Sequence, residues 1–189
     1  FSSLLADGEH VFENVPDLLD IKSTRAILES LNCETHYENH TLTVRVSEPA
    51  EKLAHYDYVR KMRASVLCLG PLLARYGEAK VSLPGGCAIG SRPVNMHLEA
   101  MEALGSQVEI DQGYILASTG GKGLKGGPIL FETATVGGTE NAVMAAVLAE
   151  GETIIENAAK EPEVVDLCVY LRKMGAQITG HGTGVIRVE

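Results

Sequence analysis

The chain has 189 residues, 45% of them hydrophobic, with 20 glycines and no tryptophan, enough for one domain, or two small ones, with a sizeable core. Its 22% of charged residues matches a globular rather than a disordered composition. A formal net charge of −9 argues against a generic nucleic-acid or anionic-membrane binder, and no apolar run reaches bilayer-crossing length.

Phe1 to Leu5 read as the tail of an apolar helix, closed by Leu4-Leu5-Ala6-Asp7-Gly8-Glu9. This marker returns as Leu73-Ala74-Arg75-Tyr76-Gly77-Glu78 and as Leu148-Ala149-Glu150-Gly151-Glu152, its glycines 69 and 74 residues apart. A short β-like stretch, His10 to Glu13, follows Gly8, and then an amphipathic helix ends at Leu28-Glu29-Ser30-Leu31-Asn32. That ending also returns, as Met101-Glu102-Ala103-Leu104-Gly105 and Leu171-Arg172-Lys173-Met174-Gly175, at spacings of 73 and 70. Two independent markers share one period, so the chain is read as three similar units, the first of them truncated at its start. Asn32, Gly105 and Gly175 are expected to stop their helices as left-handed C′ residues.

In the second unit Lys61 and Arg63 precede Val66-Leu67-Cys68-Leu69 with Leu72-Leu73, a helix apolar almost all round and therefore expected in the core. The loop Leu83-Pro84-Gly85-Gly86-Cys87-Ala88-Ile89-Gly90-Ser91-Arg92-Pro93 comes next. Pro93 suits the first turn of a helix through His97 and Leu98, and the strand Gln107 to Ile110 follows. The third unit has the turn Thr133 to Thr139, the apolar helix Ala142 to Ala149 and the stretch Thr153 to Glu156. Glu161-Pro162-Glu163 reads as an acidic start to a helix that aligns Val164, Leu167, Cys168, Leu171 and Met174 on one face. Val185 to Val188 closes the chain as a strand. Three units of this plan, running over 1–189, predict helices clustered within and sheets packed around them.

The cysteines at 33, 68, 87 and 168 form no CxxC pair and no zinc spacing, so a reducing cytoplasm is the expected compartment. Cys33 follows a helix stop, and Cys68 and Cys168 lie on apolar helix faces, which makes these three small core residues. Cys87 differs. It sits among three glycines, shortly before a helix start and five residues from Arg92, features that favour a thiolate and anion binding. A mobile loop carrying an incidental cysteine is the other reading. Arg63 and Gly137 each stand 14 residues before a marker glycine, at matching helix starts where free N–H groups suit phosphate. Ordinary capping by Thr139 and a solvated basic turn at Lys61 are the alternatives. The six histidines are dispersed, so surface or hydrogen-bonding roles are expected rather than metal ligation.

At Pro84-Gly85-Gly86-Cys87-Ala88-Ile89-Gly90-Ser91-Arg92-Pro93-Val94 the sequence closely resembles the UDP-N-acetylglucosamine 1-carboxyvinyltransferases. The likeness extends to Lys61-Met62-Arg63-Ala64-Ser65, Thr139-Glu140-Asn141-Ala142 and Ile155-Glu156-Asn157-Ala158-Ala159 with Glu161-Pro162-Glu163. The resemblance implies one of two domains, each an inside-out α/β barrel of three units, with the partner domain lying outside this sequence. It implies transfer of the enolpyruvyl group of phosphoenolpyruvate to the 3-hydroxyl of UDP-N-acetylglucosamine with release of phosphate, the first committed step of peptidoglycan precursor synthesis. Neither a cofactor nor a metal is implied. Cys87 would donate the proton to C3 and form a covalent phosphoenolpyruvate adduct. Arg63 and the run Arg92, Pro93, Val94, Asn95, Met96 would hold the nucleotide sugar. Thr133, Ala134, Thr135, Val136 and Gly137 would contact its diphosphate and uridine. Many relatives carry Asp where Asn95 stands, and several a basic residue where Thr133 stands.

Overall fold

The computed structural model describes residues 1–47, 53–54, 63–83 and 94–189, with backbone alone at 53–54 and 63–65. A 3-10 segment, Ser2–Leu5, leads into β1 (Gly8–Phe12), α1 (Leu19–Ser30), β2 (Glu34–Glu38) and β3 (Thr41–Val46). The second unit comprises β4 (Leu53–Ala54), a 3-10 segment Arg63–Cys68 continuing as α2 (Leu69–Tyr76), then β5 (Glu78–Ser82), α3 (Asn95–Ala103), β6 (Gln107–Asp111) and β7 (Tyr114–Ser118). The third comprises β8 (Pro128–Leu130), α4 (Val136–Ala146), β9 (Thr153–Glu156), α5 (Pro162–Lys173), β10 (Ile178–Thr179) and β11 (Val185–Val188).

The three sheets repeat one topology. Their strand orders are β1-β3-β2, β4-β5-β7-β6 and β8-β9-β11-β10. In each, the strand after the marker glycine pairs antiparallel with the last strand of the unit, which pairs antiparallel with the strand before it. β4 and β8 add a parallel edge to their sheets. Gly8, Gly77 and Gly151 all have positive φ, at 112°, 73° and 93°, a backbone that glycine adopts without steric cost.

The second marker explains itself still better. Asn32, Gly105 and Gly175 have φ of 65°, 88° and 110°, and each closes the same pair of hydrogen bonds. Asn32 N donates to Glu29 O and Cys33 N to Leu28 O; Gly105 N donates to Glu102 O and Ser106 N to Met101 O; Gly175 N donates to Arg172 O and Ala176 N to Leu171 O. These are three Schellman stops, which satisfy carbonyls left open at helix C-termini.

The core lies among the inner helices. Leu69, Gly70, Pro71, Leu72 and Leu73 of α2 are buried, as is α4 from Gly138 to Ala146 apart from half-buried Glu140. The sheets face them with Val44, Val46, Val81, Ile115, Ile155 and Ile186. Sequence patterning predicts one continuous helix before Gly77, whereas the chain runs as a 3-10 segment up to Cys68 and turns α only from Leu69. Pro71 accounts for the change: it has no N–H to bond back to Leu67, and its ring would crowd that carbonyl in a continuous α-helix, so it is accommodated in a first turn.

Candidate active site

Two helix starts and one 3-10 segment meet around a single buried amide. α4 begins after Thr135, whose backbone is extended (φ −133°, ψ 123°) and whose hydroxyl accepts from Gly138 N–H at 3.3 Å. A threonine there supplies the oxygen that the first turn lacks. Thr139, the cap in the alternative reading of the sequence, is fully buried and accepts from Ala159 N–H at 3.0 Å, tying α4 to the approach to α5. Val136 and Gly137, the first two helical residues, have no carbonyl one turn back to bond. The paired glycines are set by their neighbours. A β-carbon at Gly138 would stand 2.4 Å from Thr135 Cγ2, and one at Gly137 would stand 3.1 Å from His97 Cε1.

His97 comes from the first turn of α3, where its N–H donates to Val94 O at 2.9 Å. Val94 and Met96 pack half-buried against the core, while Asn95 is exposed and donates through Nδ2 to Glu99 Oε1 at 3.3 Å. Two of the expected substrate-binding runs thus lie at neighbouring helix starts: Val94 to Met96 at the start of α3, and Thr135 to Gly137 at the start of α4, with the His97 ring against Gly137. Thr133 and Ala134 are exposed on the approach to α4. Arg63 opens its 3-10 segment with only its backbone described. Cys87, Arg92 and Pro93 lie outside the described residues.

Asn141 is the hub. It is fully buried in α4. Its Oδ1 accepts from Gly70 N–H at 2.7 Å, and its Nδ2 reaches Val66 O at 3.1 Å and His97 Nδ1 at 3.1 Å. One side chain thus joins the 3-10 segment, α2, α3 and α4. Neither Asn141 nor His97 carries an assigned role in the sequence reading, beyond hydrogen bonding for the histidine. The available signal is a lone amide at the head of an otherwise apolar helix, a group that has to find partners when buried.

Among the described residues, charge in this region is sparse. Glu140 is half-buried beside this hub; burial first, and then the nearby Glu163 carboxylate, pushes its carboxyl up to about 6. The thiols of Cys33, Cys68 and Cys168 are buried, as their settings in the sequence suggest, and burial pushes them up to about 11, about 12 and about 11. Among the described residues no His, Cys, Asp or Glu group is arranged to hold a metal, and no helix is long and apolar enough to cross a membrane. An open cleft of about 560 Å³ between α5, β10 and β11, lined in part by Arg172, Lys173 and Arg187, contains none of the site residues.

Known proteins share much of this sequence and this fold. The family described as EPSP synthase (3-phosphoshikimate 1-carboxyvinyltransferase) matches residues 1–189. The chain is 61% identical over 189 residues to the UDP-N-acetylglucosamine 1-carboxyvinyltransferase of Bdellovibrio bacteriovorus, covering all of this chain and 45% of that protein. It is 55% identical over 188 residues to the enzyme of the same description from Nitratidesulfovibrio vulgaris (strain Hildenborough), covering all of this chain and 44% of that one. The chain thus spans less than half the length of these relatives. Among solved structures, the enolpyruvyl transferase NikO from Streptomyces tendae superposes with a TM-score of 0.85 at 21% identity, over 99% of this chain and 44% of that one. An EPSP synthase from Acinetobacter baumannii superposes with a TM-score of 0.75 at 18% identity, over 99% of this chain and 43% of that one. These two likenesses establish the fold.

Proposed function

Because the chain belongs to the EPSP synthase (3-phosphoshikimate 1-carboxyvinyltransferase) family, we propose that it forms one domain of an enzyme that transfers the enolpyruvyl group of phosphoenolpyruvate to the 3-hydroxyl of UDP-N-acetylglucosamine. The observation that carries this reading is 61% identity over the whole chain to a protein of that description. The meeting of the α3 and α4 first turns supports it. Peptidoglycan precursor synthesis in the cytoplasm is the setting this implies.

In this reading the acceptor oxygen adds to C2 of phosphoenolpyruvate as C3 takes a proton, and the hydroxyl proton leaves to a base. The resulting tetrahedral ketal then loses the C3 proton and breaks its C2–O bond to phosphate, which restores the double bond. Cys87 donates the proton to C3, and its sulfur adds to phosphoenolpyruvate at C2 in the covalent adduct. An unperturbed thiol, with a pKa of about 8.5, is protonated at neutrality yet ionises readily, which serves both roles. Arg63, Arg92, Pro93, Val94, Asn95 and Met96 hold the nucleotide sugar, and Thr133 to Gly137 receive its diphosphate and uridine, where unpaired N–H groups of a helix start favour anions. A second domain outside residues 1–189 completes the site, so these residues alone are expected to turn over poorly.

Fosfomycin, an epoxide that alkylates the loop cysteine of the UDP-N-acetylglucosamine 1-carboxyvinyltransferases, supplies the test. Intact-mass measurement on the full-length protein should show one adduct, absent from Cys87→Ala. No adduct on folded protein would remove the proposed chemistry. Competition between UDP-N-acetylglucosamine and 3-phosphoshikimate as acceptor separates this assignment from the other activity in the family.

A further inference from the structure

The nucleotide sugar of the proposed function is held by three runs far apart in sequence: Arg63, Val94 to Met96, and Thr133 to Gly137. Each run belongs to a different element, and all three elements meet at one side chain. Val66 O, three residues beyond Arg63 on the 3-10 segment Arg63–Cys68, accepts from Asn141 Nδ2 at 3.1 Å. His97, which follows Met96 in the first turn of α3, meets the same nitrogen through Nδ1, also at 3.1 Å. Asn141 itself stands four residues beyond Gly137 on α4, about one helical turn. A further contact, from Gly70 N–H to Oδ1 at 2.7 Å, anchors the amide to α2.

The amide cannot be turned round. Gly70 N–H can only donate and Val66 O can only accept, so the oxygen must face the first and the nitrogen the second. Both hydrogens of Nδ2 are then committed, one to Val66 O and one to His97. The group is fully buried, so a partner lost to a shift of any element is not replaced by water and the loss carries its full cost. Gly137 tightens the arrangement further. A β-carbon there would stand 3.1 Å from His97 Cε1, so the ring lies against the α4 backbone as well as against Asn141.

We propose that Asn141 is a positioning residue for nucleotide-sugar binding: this one amide sets the spacing of the Arg63 segment, the start of α3 and the start of α4, so that three runs reach one ligand together. Being fully buried, it acts through the elements it joins and not by touching the ligand. The ligand half of the proposal rests on the enolpyruvyl-transferase reading above; the joint between the elements does not.

The experiment uses the full-length protein. Asn141→Asp keeps the volume and the oxygen that accepts from Gly70, but charged or neutral it has at most one hydrogen to give where Asn gives two. UDP-N-acetylglucosamine binding is measured by calorimetry at a temperature where thermal unfolding shows both proteins folded. It should weaken roughly tenfold, the size of one hydrogen bond to a charged group, whereas a role confined to stability would leave affinity unchanged. Arg63→Ala should cost less affinity in the Asn141→Asp background than in wild type, because the segment carrying residue 63 is already out of place. Unchanged affinity in folded Asn141→Asp overturns the proposal, as do losses that simply multiply in the double variant. Should the variant not fold, the wild-type protein still decides. Its Asn141 side-chain NH2, assigned by triple-resonance NMR, should exchange slowly with water, and exchange as fast as that of an exposed asparagine overturns the joint. Wild-type protein with a protected amide but no affinity for the nucleotide sugar leaves the joint standing and removes the functional reading instead.

Discussion

Gly70 and Asn141 are 71 positions apart, yet the Gly70 N–H donates to Asn141 Oδ1 at 2.7 Å, and a β-carbon at Gly70 would stand only 2.5 Å from the same oxygen and 2.6 Å from the Asn141 carbonyl. The crossing of α2 over α4 therefore leaves no room for a side chain at position 70. Gly70→Ala must push the buried helices apart and strip the amide of a partner. Overpacking of this kind costs about 3 kcal/mol, most of it through strain. A urea-denaturation midpoint within error of wild type for Gly70→Ala would contradict the geometry.

The three buried thiols make a second prediction. With their acidities pushed up to about 11 or 12 by burial, Cys33, Cys68 and Cys168 hold almost no thiolate at pH 8 and are shielded from reagents. Titration with a chromogenic disulfide on native protein should count one fast thiol per chain in residues 1–189, and four in denaturant. The fast one should vanish in Cys87→Ala. Two or more fast thiols in folded protein would mean that the inner helices open readily.

Glu140 predicts a pH dependence. Its carboxyl is raised from 4.5 to about 6 in the fold, chiefly by burial. The protonated form is thus favoured by folding. The associated stability is complete below pH 4.5 and disappears as pH rises through about 6. Glu140→Gln keeps the neutral shape at every pH. It should be more stable than wild type at pH 7.5 by on the order of 1 kcal/mol, once partial exposure is discounted, and indistinguishable at pH 4.5. Thermal unfolding at the two pH values decides it, and a gain at pH 4.5 of equal size would assign the effect to something other than ionisation.

Thr135 offers a milder test at the edge of the site. Thr135→Ala removes the oxygen that accepts from Gly138 N–H and should cost about 1 kcal/mol, with faster hydrogen exchange at the Gly138 amide; Thr135→Ser should restore most of both. Equal exchange rates in the three proteins would show that the cap contributes nothing.

Much of this architecture is legible in the sequence because its punctuation is local. Asn32, Gly105 and Gly175 each need a left-handed backbone and close their bonds within six residues, so the same letters recur wherever the same stop recurs. The apolar helices are legible for a similar reason, since being buried on all sides leaves no polar face to disguise them. What the sequence hides is long-range or masked by near-equivalents. Thr135 and Thr139 are both plausible caps by composition, and only the approach of Ala159 to Thr139 separates them. The α-to-3-10 change before Leu69 hinges on one proline ring against one carbonyl. Asn141 meets His97 across 44 positions, and no local pattern announces such a pair. Cys87 and Arg92 stand out in the sequence through glycine density and charge, and their roles rest on chemistry that alkylation can test.

Since each outer helix ends with bonds drawn from its own last turn, the direction in which the following hairpin departs is decided without consulting the other two units. Damage to one stop should accordingly tilt a single sheet and leave its siblings in register.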